Sequence, residues 1–273
     1  LAEDLNLVGQ TAILVGGTDG IGLACAHILL QHNLSTLVLG SRNMEKGNRV
    51  AKELKEQHPS ADVRVWELEM LSFDSVQLFA ERCVALPRID FAIIGAGNLP
   101  AEFKINPSTG HEVTMQVHYW STALLALLLL PALKQKHPEG KPGHLTIVDS
   151  DLALIAGFKE RDAVPLLPEF DKPVPWQPTE RYNTCKLLIM MLVLKLKDVV
   201  SPSEVIVNSV CPGMSKPTAI ERDQPWLGRL VPRILRTLLG RPLEASAWTY
   251  IDAAVEQGAD SHGSHLASWH VSP

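Results

Sequence analysis

The sequence predicts an α/β fold, a single doubly wound parallel sheet with helices on both faces. Three observations carry it. Short, continuous apolar runs of strand length alternate with longer helical stretches from residue 11 onward, the pattern of strands buried on both faces by crossover helices. The first of those runs passes directly into a glycine-rich turn and then a helix. No repeat or linker interrupts the alternation, so residues 1–273 read as one domain.

Composition narrows the function classes. With 46% hydrophobic and 20% charged residues the chain is long enough, at 273 residues, to bury a substantial core. A net charge of −5, from 25 Lys+Arg against 30 Asp+Glu, gives no basic field that would recommend nucleic acid. The four cysteines, at 25, 83, 185 and 211, are dispersed without a Cys-x-x-Cys and read as reduced thiols. The opening Leu1-Ala-Glu-Asp-Leu is acidic, unlike a signal peptide. The most apolar run, Ala123 to Leu133, falls short of the about 17–25 residues of a spanning helix. A cytoplasmic protein without a transmembrane segment is the expectation.

Taken in order, Thr11 to Val15 is a buried strand, Gly16-Gly17-Thr18-Asp19-Gly20-Ile21-Gly22 the turn, and Leu23 to Gln31 a helix. Glycines there let backbone N–H groups approach a pyrophosphate seated at the positive helix terminus; the plain alternative is a tight turn with no ligand. Ser35 to Leu39 is the second strand, ending Gly40-Ser41-Arg42-Asn43. No acid stands at that end to meet a free ribose 2′-hydroxyl, and Arg42 can pair with a 2′-phosphate, so the cofactor reads as NADP(H). A solvated loop arginine is the alternative.

Met44 to Gln57 reads as a charged amphipathic helix and Val63 to Glu67 as a strand, followed by Glu69-Met70 and a helix from Ser72 to Leu86. A strand from Ile89 to Ile94 ends in Gly95-Ala96-Gly97, small enough for a cofactor to lie on the backbone. Gly110 to Leu133 is a long helix carrying His118, and His144 to Val148 a strand that leads into Asp149-Ser150-Asp151. The proline-rich segment 156–178 reads as an irregular excursion. Leu187 to Leu196 is apolar nearly all round, so its helix is covered by the sheet and, on one reading, by a second copy of the chain in a homodimer. Glu204 to Val210 is a strand running into Cys211-Pro212-Gly213. Residues 214–243 are a second excursion, then Glu244 to Val255 a helix, then a short tail.

The chemistry centres on Tyr182-Asn183-Thr184-Cys185-Lys186. A phenol and an ammonium four residues apart share one helix face. There Lys186 would stabilise the phenolate and bring its pKa down from about 10, providing a group that passes a proton to or from a carbonyl or alcohol oxygen. Alone, the pattern is equally that of a surface pair.

Together, Gly16-x-x-x-Gly20-Ile21-Gly22, Ser150, Tyr182-x-x-x-Lys186, Asn208 and Pro212-Gly213 follow the order found in short-chain dehydrogenases/reductases. The resemblance covers essentially the whole chain. In Val65-Trp-Glu-Leu-Glu-Met, His144-Leu-Thr-Ile-Val, Ser261-His-Gly-Ser-His-Leu and the long Ser-to-Tyr gap it resembles the fungal, retinol-dehydrogenase-like branch, often found in secondary metabolism. It implies a Rossmann-like sheet and an NADP-dependent oxidoreductase that reduces a ketone, or oxidises the corresponding alcohol, on an apolar small metabolite. It implies that Tyr182 is the general acid/base, that Lys186 binds the nicotinamide ribose, and that Ser150 holds the reacting oxygen. Gly16, Thr18, Asp19, Gly20, Ile21, Gly22, Arg42, Glu69, Ala96, Gly97, Pro212 and Gly213 would line the cofactor, with Tyr182 and Lys186.

Three departures from the family pattern stand out. Asn-Asn-Ala-Gly is replaced by Ile94-Gly95-Ala96-Gly97. A relay asparagine falls at His118, which titrates near neutrality and could itself take a proton; the alternative is a tolerated replacement. Asp149 and Asp151 flank Ser150, where an inward carboxylate would raise the Tyr182 pKa. These departures motivate a second function, a non-redox isomerase, dehydratase or cyclase on the same scaffold; a regulatory module without turnover is a third. No metal is expected: His262-Gly-Ser-His265 reads as a tail loop. Cys185 reads as core. Trp226, Leu227, Leu230, Val231, Ile234, Leu235 and Leu238 recur at helical spacing opposite Arg229, Arg233 and Arg236, the signature of a substrate lid, a packing surface or a membrane-surface helix.

Overall fold

The computed structural model describes residues 4–138, 140–217 and 236–272. Among them, strands from both ends of the chain join one eight-stranded sheet, in the order β3-β2-β1-β4-β5-β6-β7-β8. The strands are β1 (Thr11–Val15), β2 (Thr36–Ser41), β3 (Asp62–Glu67), β4 (Phe91–Ile94), β5 (Gly143–Val148), β6 (Val205–Cys211), β7 (His265–Ala267) and β8 (His270–Ser272). All pairings are parallel except β7 with β8. The last two strands replace the expected short tail. At three residues each they are too brief for any periodicity to announce them.

The helices are α1 (Gly20–Gln31), α2 (Met44–Gln57), α3 (Phe73–Val84), α4 (Val113–Gln135), α5 (Pro178–Leu196) and α6 (Leu243–Ile251). Their starts follow ordinary capping chemistry. Asn43 Oδ1 accepts from Lys46 N at 2.8 Å, and Ser72 Oγ from Ser75 N at 3.2 Å. Pro178 opens α5, where its missing N–H is no loss. Alternation along β1 sends Ile13 and Val15 to one face and Ala12 and Leu14 to the other. The first face is covered by α3, α4 and α5, the second by α1, α2 and α6, giving a core on each side of the sheet.

By length and composition α4 could cross a membrane. In this fold it is a core helix, with Leu125, Leu129 and Leu133 fully buried on the sheet. It opens into a π turn at Gln116–Trp120, the segment that carries His118. The 156–178 excursion contains a short 3-10 helix, Leu167–Asp171, and is fastened to the start of α5. Glu180 Oε1 accepts from Gly157 N at 2.7 Å and Phe158 N at 3.1 Å. Buried Arg181 lies 3.4 Å from Glu160, 3.8 Å from Glu112, and 4.8 Å over the Phe170 ring.

Strand order reverses between β1 and β4, and an open α/β sheet presents its binding crevice at the carboxyl ends on either side of that switch. Val15 is in register with Ile94, so Gly16 and Gly95 emerge side by side.

Candidate active site

Tyr182 and Lys186 lie one turn apart in α5, above the carboxyl end of β5. Lys186 Nζ donates to Val148 O at 2.8 Å and stands 5.5 Å from the Tyr182 ring centre. Ser150, immediately beyond β5, caps the 3-10 helix Asp151–Ile155, its Oγ accepting from Leu152 N at 3.3 Å. Its hydroxyl is also near enough to Tyr182 to favour the phenolate. His118, buried in the π turn of α4, meets the Tyr182 ring edge-on at 5.2 Å between centres. The four residues singled out for chemistry therefore come together from three elements far apart in sequence.

Their electrostatics depart from the sequence expectation in two places. The Tyr182 phenol is pushed up, chiefly by burial and further by Cys211 and Asp149, with Ser150 and Arg236 opposing. Lys186 has another partner. Its ammonium is turned to Val148 O, and burial brings its own pKa down to about 8 while Asp149 holds it up. The second correction concerns His118, read as titrating near neutrality. Burial first, and Lys186 second, lower it to about 3. It is a neutral imidazole at ordinary pH, with Nε2 2.7 Å from Asn98 O and 3.1 Å from Asn98 N.

Asp149 is the inward carboxylate. It is 1% exposed, and its Oδ2 lies 2.7 Å from His265 Nδ1; Asp151 Oδ1, on a half-exposed side chain, lies 3.1 Å from His265 Nε2. His265 belongs to β7, so the expected tail loop is a strand reaching into the site. His262, the other histidine of that segment, is turned elsewhere: its Nδ1 accepts from Val207 N at 3.1 Å. Cys185 is buried core, its Sγ 3.4 Å from Met115 Sδ and its thiol pushed up by burial. Cys211 Sγ, at the end of β6, accepts from Asp151 N and Gly213 N at 3.3 Å each.

On the far side of the switch point the glycine turn fits a dinucleotide. Gly16 has φ +87°, and a Cβ there would stand 2.8 Å from Gly95 O, while a Cβ on Gly22 would meet Gly16 O at 2.2 Å. The turn is thus folded flat against the end of β4, where Gly95, Ala96 and Gly97 leave backbone uncovered. Asp19 caps α1, Oδ1 accepting from Gly20 N at 2.8 Å, and its other oxygen pairs with Lys46. Thr18 and Ile21 are part-exposed beside it. Arg42 follows β2 with its Nε 3.9 Å from Glu69 Oε2 and more than half of its side chain exposed. Pro212 and Gly213, the latter at φ +71°, leave β6 beside Ser150's end of the sheet.

Sequence reasoning missed His265, Lys46, and the Glu180–Arg181 fastening that precedes Tyr182. Lys46 had a readable signal, a cation one turn beyond Arg42 at the start of a helix. His265 had none, because its partners lie more than a hundred residues away. The proposed lid is outside the described residues from 218 to 235, which takes in Trp226, Leu227, Arg229, Leu230, Val231, Arg233, Ile234 and Leu235. Its two ends are tied together: Arg241 N donates to Met214 O at 2.9 Å and Lys216 N to Arg241 O at 3.0 Å.

A doubly wound sheet with a glycine turn at its switch point, and Ser, Tyr and Lys gathered beyond β5, defines an oxidoreductase built on a dinucleotide-binding fold. The chain belongs to the short-chain dehydrogenase family, whose profile matches residues 10–159. It is 46% identical over 269 residues to the short chain dehydrogenase/reductase mfmJ of Annulohypoxylon moriforme, covering 98% of this chain and 78% of that one. It is 42% identical over 279 residues to the short chain dehydrogenase opdN of Penicillium oxalicum, covering 98% and 90%. Among solved structures, a putative NAD(P) dependent gluconate 5-dehydrogenase from Beutenbergia cavernae with bound NADP superposes with TM-score 0.72 at 18% identity, over 97% of this chain and 98% of that one. The Pseudomonas aeruginosa RhlG/NADP active-site complex matches with TM-score 0.72 at 20% identity, over 97% and 96%.

Proposed function

We propose that the protein is an NADP(H)-dependent reductase, or the reverse dehydrogenase, acting on a ketone or secondary alcohol of an apolar small metabolite in natural-product biosynthesis. The observation that carries this reading is the meeting of Ser150, Tyr182 and Lys186 at the carboxyl end of β5, one strand from the Gly95–Gly97 backbone. When bound, the nicotinamide cofactor supplies or accepts the hydride. Tyr182 gives its hydroxyl proton to the carbonyl oxygen in reduction and removes it from the alcohol in oxidation. Ser150 holds that oxygen by a hydrogen bond. Lys186, fixed to Val148 O, orients the ribose and carries positive charge beside the phenol. His118, neutral, braces the Tyr182 ring.

An apolar substrate is favoured by Leu152, Leu154 and Ile155, which follow Ser150 with large exposed surfaces, and by exposed Met214 beyond Gly213. NADP(H) is favoured by two cations, Arg42 and Lys46, at the adenosine end. Exposed Leu127 on α4 and Met191 and Leu194 on α5 favour a homodimer through those helices. The retained Ser, Tyr and Lys favour redox over the isomerase, dehydratase or cyclase alternative. Loss of NADPH absorbance with a panel of hydrophobic ketones is the test. Turnover of a substrate without any change in the nicotinamide would overturn the reading.

A further inference from the structure

The site holds an ionic cluster, buried at Asp149 and open to solvent at Asp151, for which the chemistry above has no use. His265 lies between Asp149 and Asp151, with both ring nitrogens within hydrogen-bonding distance of carboxylate oxygens, 2.7 Å and 3.1 Å. A neutral imidazole would turn one bare lone pair toward a carboxylate; only the imidazolium donates to both. The two carboxylates are the chain neighbours of Ser150. The imidazole arrives from β7, across the end of β6, where Ser209 is the register partner of His265. Asp149 Oδ1 is buried with no hydrogen-bond partner among the described residues.

We propose that His265 is a positioning residue for the reaction: as a cation gripped by Asp149 and Asp151, it draws both carboxylates toward β7 and offsets the negative charge that Asp149 directs at Tyr182. This deepens the reductase reading and rests on it for its kinetic test. Three facts support it. Asp149 acts on Tyr182 and Lys186 together, raising both. It is too deeply buried for water to screen its charge. The imidazole itself is held up by Asp149 and Asp151 against the opposing effect of burial. The ionisable groups around the cluster are these two carboxylates, the Cys211 thiol at the end of β6, Tyr182 and Lys186 of α5, Tyr250 of α6, which also feels Asp149, and Arg236, whose charge favours the Tyr182 phenolate. Cys211 and Tyr250 are pushed upward and stay neutral, and His265 is the cation in contact with both carboxylates.

The sign follows from the charges. With His265 neutralised, Asp149 faces Tyr182 uncompensated, and the phenolate needed to oxidise an alcohol becomes harder to form. His265→Gln keeps hydrogen-bonding atoms near both carboxylates but removes the charge. The rise of kcat/KM with pH for oxidation of a secondary alcohol by NADP should then shift upward by about one unit, with about a tenfold loss on its limb. Adding Asp149→Asn should restore the wild-type midpoint, because the charge to be offset is gone. A purely structural role would leave the midpoint where it is in His265→Gln. An unmoved midpoint, or a double variant as displaced as the single one, overturns the proposal.

A second measurement does not depend on turnover. Nitrogen-15 shifts of the His265 ring at neutral pH should report both nitrogens protonated in the wild type, and a single neutral tautomer in Asp149→Asn/Asp151→Asn. A neutral ring in the wild type overturns the proposal even if the enzyme is an active reductase. A charged ring in a protein without nicotinamide turnover would overturn the reductase reading alone.

Discussion

The two ends of the crevice handle charge in opposite ways. At the adenosine end, beyond β1 and β2, the pairs Arg42–Glu69 and Lys46–Asp19 sit on partly exposed side chains. At the reacting end, beyond β5 and β6, Lys186, His118 and Asp149 are all nearly inaccessible, and α5 enters over buried Arg181. Exposed pairs are screened and each is worth little, so they can be exchanged to suit a cofactor. Buried ones shift each other's protonation and are expensive to leave unmatched. In the proposed reading, specificity is thus placed where it is easy to alter, and proton chemistry where the dielectric makes small displacements matter.

The largest effect should come from the reacting end. Tyr182→Phe removes the proposed acid/base while keeping the ring against His118, and should lower turnover by roughly 10²–10⁴. Cofactor affinity, measured by NADPH fluorescence, should be nearly unchanged. Turnover as fast as wild type would move the chemistry to another group.

Next comes the fastening beneath it. Arg181→Leu leaves fully buried Glu112 without its cation; burial already raises that carboxyl, opposed chiefly by backbone hydrogen bonds from Thr114 and Met115. Breaking a buried pair in this way costs about 3–5 kcal/mol, which denaturant unfolding would register. A loss comparable to that of an exposed pair would show that the backbone donors alone suffice for Glu112.

These two predictions also mark how much could be read from the chain. The parallel sheet, the glycine turn and the Tyr–Lys pair were legible, because short apolar runs and local spacings encode them; Ser150 was added by the family resemblance, and the strand order came only from the structure. The corrections share one cause. Whether Lys186 lowers Tyr182, and whether His118 titrates near neutrality, depends on what buries them and on where the lysine donates. Residue type cannot supply that. His118 ends near 3 because α4 carries it into an enclosed space near Lys186. β7 and β8 were missed because three residues carry no period, and with them went His265.

A third prediction uses the His118 value directly. The native state binds no proton at His118 between about 6.5 and about 3, where an unfolded chain does. Its contribution to stability is therefore complete above the ordinary histidine range and is shed as pH falls through that window. His118→Asn should flatten the acid limb of the unfolding free energy by up to about 1.4 kcal/mol per pH unit. His144, lowered to about 4 by burial, contributes in the same sense in both proteins and leaves the difference intact. Identical acid limbs would mean that His118 reaches solvent and titrates normally.

The smallest effect belongs to the adenosine end. By sequence alone Arg42 could be assigned a full charge-assisted contact with a 2′-phosphate, worth about 1.5–3 kcal/mol. Its 55% side-chain exposure and its position 3.9 Å from Glu69 reduce that expectation. A phosphate must share the guanidinium with a carboxylate already present, in water that screens both, while Lys46 is held by Asp19 one helical turn away. Arg42→Ala should therefore weaken NADPH binding by only about 1 kcal/mol, roughly fivefold, and leave NADH binding unchanged. Glu69→Gln should act in the opposite direction, tightening NADPH by freeing the guanidinium. If titrations show NADPH and NADH binding equally well to the wild type, Arg42 serves Glu69 alone and the preference for the 2′-phosphate falls.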